Sequence, residues 1–167
     1  MFKEQRPNIR TEMTSLHKLA NIIGIASILV GVILLILFWS DMPDTVPTHF
    51  NIQGEPDGWG SKNSLILLPI LATFLFVLLS FIEKRPQSFN YLIKITEENA
   101  YKQYTLARSM MNLTKNISTL LLMVISCYSI LDANETTANG LYLVISAIVV
   151  LLFIVMIWYI SKSVKHK

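Results

Sequence analysis

The 167-residue chain has a single cysteine, Cys127, so no disulfide can close within it. Its three histidines, His17, His49 and His166, are far apart, and no Cys/His spacing matches a zinc site. A nucleophile elbow is also missing, which leaves little for an enzyme to work with. Charged residues make up only 15% of the chain, and no stripe of basic residues interleaved with aromatics offers itself to nucleic acid. Aspartate and glutamate are absent from the long apolar runs, so the chain lacks the carboxylate relay of an ion or proton pump.

What the chain does have is apolar residues in blocks, 53% in all. Four runs, Asn21–Trp39, Leu65–Ile82, Leu113–Leu131 and Leu141–Ile160, are each long enough to cross a ~30 Å hydrocarbon core as a helix. A soluble fold would show interrupted amphipathic segments instead. The expected fold is therefore an all-α polytopic membrane protein with four transmembrane helices. Lys115, near one end of the third run, is the one ionisable side chain within them and is expected to snorkel. The first run follows a basic segment, as a signal peptide would. Its apolar core is too long for one, however, and no small-x-small cleavage site follows, so four retained helices are expected.

Charge sets the expected orientation. Lys3, Arg6, Arg10 and Lys18 precede the first run, and Lys84, Arg85, Lys94, Lys102 and Arg108 fall between the second and third. Lys162, Lys165 and Lys167 end the chain, whereas the first connection has only Lys62 and the third, residues 132–140, has none. The positive-inside rule puts both termini and the middle connection in the cytoplasm. The net charge of +3 then reflects topology and contact with anionic membrane lipid.

The connection between the first two runs, residues 40–64, is the densest stretch. It holds Pro43, Pro47 and Pro56 and also Gly54, Gly58 and Gly60, half of the prolines and half of the glycines in the chain. Prolines fix one backbone angle and glycines permit tight reversals, so an ordered extracellular loop is expected rather than a spacer. Val46, His49, Phe50, Ile52 and Trp59 could form a small apolar cap on the membrane surface. Asp57 in Pro56-Asp57-Gly58 reads first as a turn former. His49 is expected to fix the loop or to meet a partner. As a metal ligand with Asp41, Asp44 or Asp57 it makes a weak signature, so no metal and no cofactor are expected.

The remaining segments supply packing signals. Ala20, Gly24, Ser27 and Gly31 share one helical face, the pattern that lets helices approach closely in lipid. In the second run Pro69 lies one turn in, and Thr73 and Ser80 share a face that can bond to neighbouring helices. Thr96 reads as the cap of a long helix from Glu97 to Leu131, with Glu97 and Glu98 in its first turn. Along it Ala100, Tyr104, Ala107 and Met111 form a stripe awaiting a cover, either the chain's own segments or a cytoplasmic partner. Further on Asn112, Asn116, Thr119, Met123 and Ser126 share a polar face expected to turn into the bundle, as interhelical glue or as the lining of a small cavity. Asn134-Glu-Thr matches a glycosylation acceptor on the expected outer side.

The residues Met42-Pro-Asp-Thr-Val-Pro-Thr-His-Phe-Asn, followed by Gly54-Glu-Pro-Asp-Gly-Trp-Gly-Ser-Lys, resemble the signature of an uncharacterised bacterial membrane domain. That domain forms the N-terminal part of SdpI-type immunity proteins. Its pattern is broadly P-x-x-[IV]-P-x-H-[FW]-[ND], then G, D and G-S-K, and each element is present. Residues 90–108 also resemble the segment that comes after the signature in relatives. The resemblance implies a multi-pass protein of the bacterial plasma membrane. In SdpI-type members, which carry further C-terminal helices, it implies protection against a secreted peptide toxin and signalling to a cytoplasmic regulator. The expected function is thus a non-enzymatic membrane protein that binds a peptide or envelope ligand through the outer loop. Pro43, Pro47, His49, Phe50, Asn51, Gly54, Asp57, Gly58, Gly60, Ser61 and Lys62 would shape or form that site. A small transporter or accessory subunit is the alternative, with a membrane-surface enzyme behind it.

Overall fold

The computed structural model describes residues 6–51, 53–133 and 140–165. Helix α1, Ser15–Phe38, begins at Thr14, whose hydroxyl accepts from the His17 amide while the His17 Nδ1 accepts from the Thr14 amide. This is a capping box with histidine in the place usually held by glutamate. Helix α2, Leu67–Ile82, is entered through a short 3-10 turn, Lys62–Ile66, capped by Ser61. Helix α3, Ala100–Ala133, starts after a turn in which Thr96 and Asn99 bond each other's backbone amides, at 3.0 and 3.4 Å. Helix α4, Leu141–Lys165, follows Gly140, whose φ of +87° suits glycine. Among the described residues these four segments, α2 together with its 3-10 entry, are long and apolar enough to cross a membrane.

Helix α3 is the centre of the bundle. Of its span 39% is buried, against 17% for each of the others, and α1, α2 and α4 all pack on it. At 34 residues it is also about 50 Å long, well beyond a ~30 Å hydrocarbon core. The small residues of α1 make their close approach to this helix. A Cβ on Gly24 would run into the Asn116 Oδ1, and one on Gly31 would lie 2.7 Å from the Met123 sulfur. Ser27 instead donates to the Gly24 carbonyl at 2.8 Å, within its own helix. Helix α4 buries a single stripe, Ile148, Val155, Tyr159 and Ser163, and leaves Phe153, Ile154 and Ile157 outside. Apolar exposure on this scale fits a lipid surround.

The first connection departs from an all-α fold. Residues Thr45–Phe50 (β1) and Pro56–Ser61 (β2) form an antiparallel hairpin. The register pairs Thr45 with Ser61, Val46 with Gly60 and Pro47 with Trp59, then shifts on either side of His49. Proline cannot donate to a ladder, and a two-stranded ribbon with such irregularities tolerates it. The hairpin base is held by Val46 and Met42, buried against Leu35, Leu65 and Ile130. The expected apolar cap therefore divides. Val46 is buried and Phe50 half-buried, His49 and Trp59 are exposed, and Ile52 lies outside the described residues, as does Asn134.

At the opposite end the chain covers its own stripe. Ile9, Tyr91 and Ile93 pack around Ile95, Ala100 and Tyr104, and Ala107 is fully buried while Met111 is half-buried. The Tyr104 hydroxyl donates to the Pro7 carbonyl at 3.0 Å, and Arg108 donates to the Thr11 carbonyl. Arg6 donates to the Gln87 and Phe89 carbonyls and lies over the Tyr91 ring. Residues 6–14 are thus packed on the connection and on α3, more than a charged anchor for topology. Residues 89–96 take irregular backbone.

Candidate functional site

The hairpin leans on the ends of α3 and α4. Gly54, at its tip, has φ +81°, and its carbonyl accepts from the Tyr128 hydroxyl. A Cβ there would meet the Tyr142 side chain at 2.8 Å, so space and backbone both require glycine. Phe50 packs on the Tyr128 ring with centroids 4.4 Å apart. Between hairpin and helices lies a cleft of about 350 Å³, floored by Ile125, Tyr128, Tyr142 and Ile145 and edged by His49, Asn51 and Ser146.

Most of the residues singled out in the loop give this structure its shape. The Asn51 Oδ1 accepts from the Gln53 and Glu55 amides at 3.0 and 2.9 Å, closing the tip. Gly58 faces His49 across the ladder so closely that a Cβ would lie 2.8 Å from the His49 Cβ, and one on Gly60 would lie 3.0 Å from Thr48. Pro47 is buried, and Ser61 caps the 3-10 turn. Lys62 reaches the Met42 carbonyl at 3.3 Å and the Asp44 carboxylate at 3.2 Å, with its ammonium over the Trp39 ring. That set of contacts ties the foot of the hairpin to the end of α1. Pro43 is exposed and leads into this foot.

His49 and Asp57 differ from the rest. Their side chains are 72% and 45% exposed, and the His49 Nδ1 bonds the Asp57 Oδ1. An ionised carboxylate only accepts, so Nδ1 carries the hydrogen and Nε2 remains for another partner. Asp57, read from sequence as a turn former, is instead the group that orients this imidazole. Two ligands do not hold a metal firmly, and among the described residues no group of three or more His, Cys, Asp or Glu converges. The arrangement can hydrogen-bond an incoming polar group beside an apolar floor.

A second polar cluster lies where α2 ends, away from the hairpin. Lys115 does not snorkel; its side chain is 1% exposed and its ammonium contacts the Glu83 Oε2 at 2.9 Å and the Ser80 hydroxyl at 3.0 Å. It also lies 4.7 Å from the centre of the Phe76 ring. Glu83 further accepts from the Asn112 Nδ2 at 3.0 Å, and Asn112 and Asn116 both donate to the Asn21 Oδ1. The cluster joins α1, α2 and α3, so Asn112 and Asn116 act as interhelical glue. Thr119 and Thr73 bond carbonyls of their own helices, while Ser126 is buried with its hydroxyl unpartnered.

Sequence reading missed Tyr128, Tyr142 and Glu83. The two tyrosines flank the connection from α3 to α4 and both meet Gly54 at the hairpin tip. Glu83 ends one apolar run at the membrane face where Lys115 begins another, a charge match that antiparallel neighbours bring together.

Comparison with known proteins adds a partial match. Residues 26–73 match the model of a domain of unknown function, DUF1648. They comprise most of α1, the whole hairpin and the start of α2. An uncharacterized protein of Archaeoglobus fulgidus is 35% identical over 69 residues, which is 41% of this chain and 33% of that one. The chain thus matches about a third of the length of that relative. No solved structure matches.

Proposed function

We propose that this multi-pass membrane protein recognises a peptide or another envelope ligand in the cleft beneath the hairpin, with the His49–Asp57 pair as its polar contact. The observation that carries the reading is an exposed, oriented imidazole beside a preformed apolar cleft of about 350 Å³. Such sites pair an apolar lining with a few placed polar groups. The charge distribution supports an outward-facing hairpin. Among the described residues Lys62 is the lone lysine or arginine at its end, and Arg6, Arg10, Lys84, Arg85, Lys94, Lys102 and Lys165 cluster at the other.

The motif's resemblance to SdpI-type immunity proteins makes a secreted peptide toxin the first ligand class to test, in a bacterial plasma membrane with both termini cytoplasmic. Helix α3 runs from the floor of the cleft to the opposite end and is the element that would report occupancy to a cytoplasmic regulator. The test is survival of a toxin-sensitive bacterial host expressing the intact chain or His49→Ala at matched membrane abundance. Protection by the intact chain, lost in His49→Ala, is the expected result. Equal survival with and without the intact chain would overturn the immunity reading.

A further inference from the structure

The end opposite the hairpin carries a pocket of about 670 Å³, lined by Leu92, Ile93, Lys94, Thr96, Glu98, Asn99, Lys102 and Lys165. We infer that it is a binding site for the phosphate headgroup of an anionic phospholipid. Lys94, Lys102 and Lys165, from the connection, the start of α3 and the end of α4, line it with one carboxylate among the described residues, Glu98. With this end cytoplasmic, as proposed above, a basic pocket between membrane helices suits a phosphate headgroup.

Buried bonds hold the lysine-bearing segments in place. The Gln103 Nε2 donates to the Ser163 carbonyl at 3.0 Å, and the Ser163 hydroxyl donates to the Gln103 Oε1 at 2.8 Å. Both residues are fully buried, and this double bond fixes the end of α4 on the start of α3. Lys102 neighbours one member and Lys165 lies two residues beyond the other. On the third wall the Asn99 Nδ2 donates to the Lys94 carbonyl at 3.0 Å, so the turn that caps α3 also sets the Lys94 backbone. The pocket is therefore built before a ligand arrives, which lowers the ordering cost of binding.

The apolar surroundings favour a lipid over a soluble phosphate compound. Leu92 on the pocket wall is 63% exposed, and Ile160 and Val164 expose apolar surface along α4 beside Lys165. A headgroup in the pocket leaves its acyl chains to run along that face. This site is remote from the hairpin and does not depend on the recognition proposed there.

The test is native mass spectrometry of the full chain in detergent, titrated with phosphatidylglycerol or phosphatidylcholine. Phosphatidylglycerol is expected to bind saturably and at least about tenfold more tightly than phosphatidylcholine. Lys102→Gln/Lys165→Gln is expected to remove most of that preference, and Lys165→Gln alone, at the exposed end of α4, part of it. Lys84→Gln/Arg85→Gln makes the same charge change outside the pocket and is expected to keep it. Equal retention of the two lipids, or equal loss in the control variant, would overturn the site. Displacement of phosphatidylglycerol by glycerol 3-phosphate at equal concentration would overturn the lipid as its ligand. Melting temperatures in phosphatidylcholine micelles check that the variants remain folded.

Discussion

Each end of the bundle carries an acid–base pair, and the two pairs sit in opposite surroundings. Lys115 and Glu83 are 1% and 4% exposed, with further bonds to Ser80 and Asn112. His49 and Asp57 are 72% and 45% exposed on a two-stranded ribbon. Removing charge from water is costly, so the inner pair survives only because its groups are bonded on several sides. The outer pair gains little from its own contact, since solvent screens exposed charges. The first joins α2 to α3, with Asn112 extending the bonds to Asn21 of α1, and the second is left exposed.

Substitutions can break this contrast. The largest effect is expected from Lys115→Met, which strands Glu83 in the bundle and should cost about 3–5 kcal/mol in unfolding measurements in detergent. Lys115→Met/Glu83→Met removes both charges and should recover most of that loss; a double variant as unstable as the single would deny the pair its role. Gly54→Val comes next, because it needs a positive φ and collides with Tyr142. A loss of about 1–3 kcal/mol and reduced membrane abundance are expected. Tyr128→Phe removes one buried donor from the Gly54 carbonyl, worth about 1 kcal/mol, and should raise hydrogen exchange in residues 45–61 with little change elsewhere. His49→Ala should leave stability within about 0.5 kcal/mol of the parent.

Alkaline pH sharpens the same comparison from the basic end. Burial pushes the Tyr91 hydroxyl above its ordinary range, and that hydroxyl donates to the Pro86 carbonyl at 2.8 Å. With the folded pKa raised, the stabilisation is whole below about pH 10 and declines as pH rises further. Tyr91→Phe should flatten that decline in unfolding experiments, while Tyr128 and the hairpin remain unchanged.

The helices were legible because predominantly apolar runs of 18 to 20 residues leave few alternatives, although α3 begins at Ala100, after a turn over residues 97–99, and not at Glu97 as Thr96 suggested. The hairpin was not. Pro47 lies inside β1 and Pro56, Gly58 and Gly60 inside β2, residues that lower strand propensity and read as turn formers. What makes the strands is tertiary: Val46 and Met42 drop into the bundle, and Gly58 allows His49 to pass close by. The motif reads in sequence as one set, which does not separate the residues that shape the hairpin from His49 and Asp57, whose side chains stay exposed. The inner ion pair was missed because its members are 32 residues apart and each alone looks like a helix-end charge.

The most direct measurement is the melting temperature of the full chain in detergent for His49→Ala and Lys115→Met side by side. His49→Ala is expected to melt with the parent and Lys115→Met well below it. A His49→Ala variant that melts as low as Lys115→Met would make the outer pair a structural bond and contradict its availability for recognition.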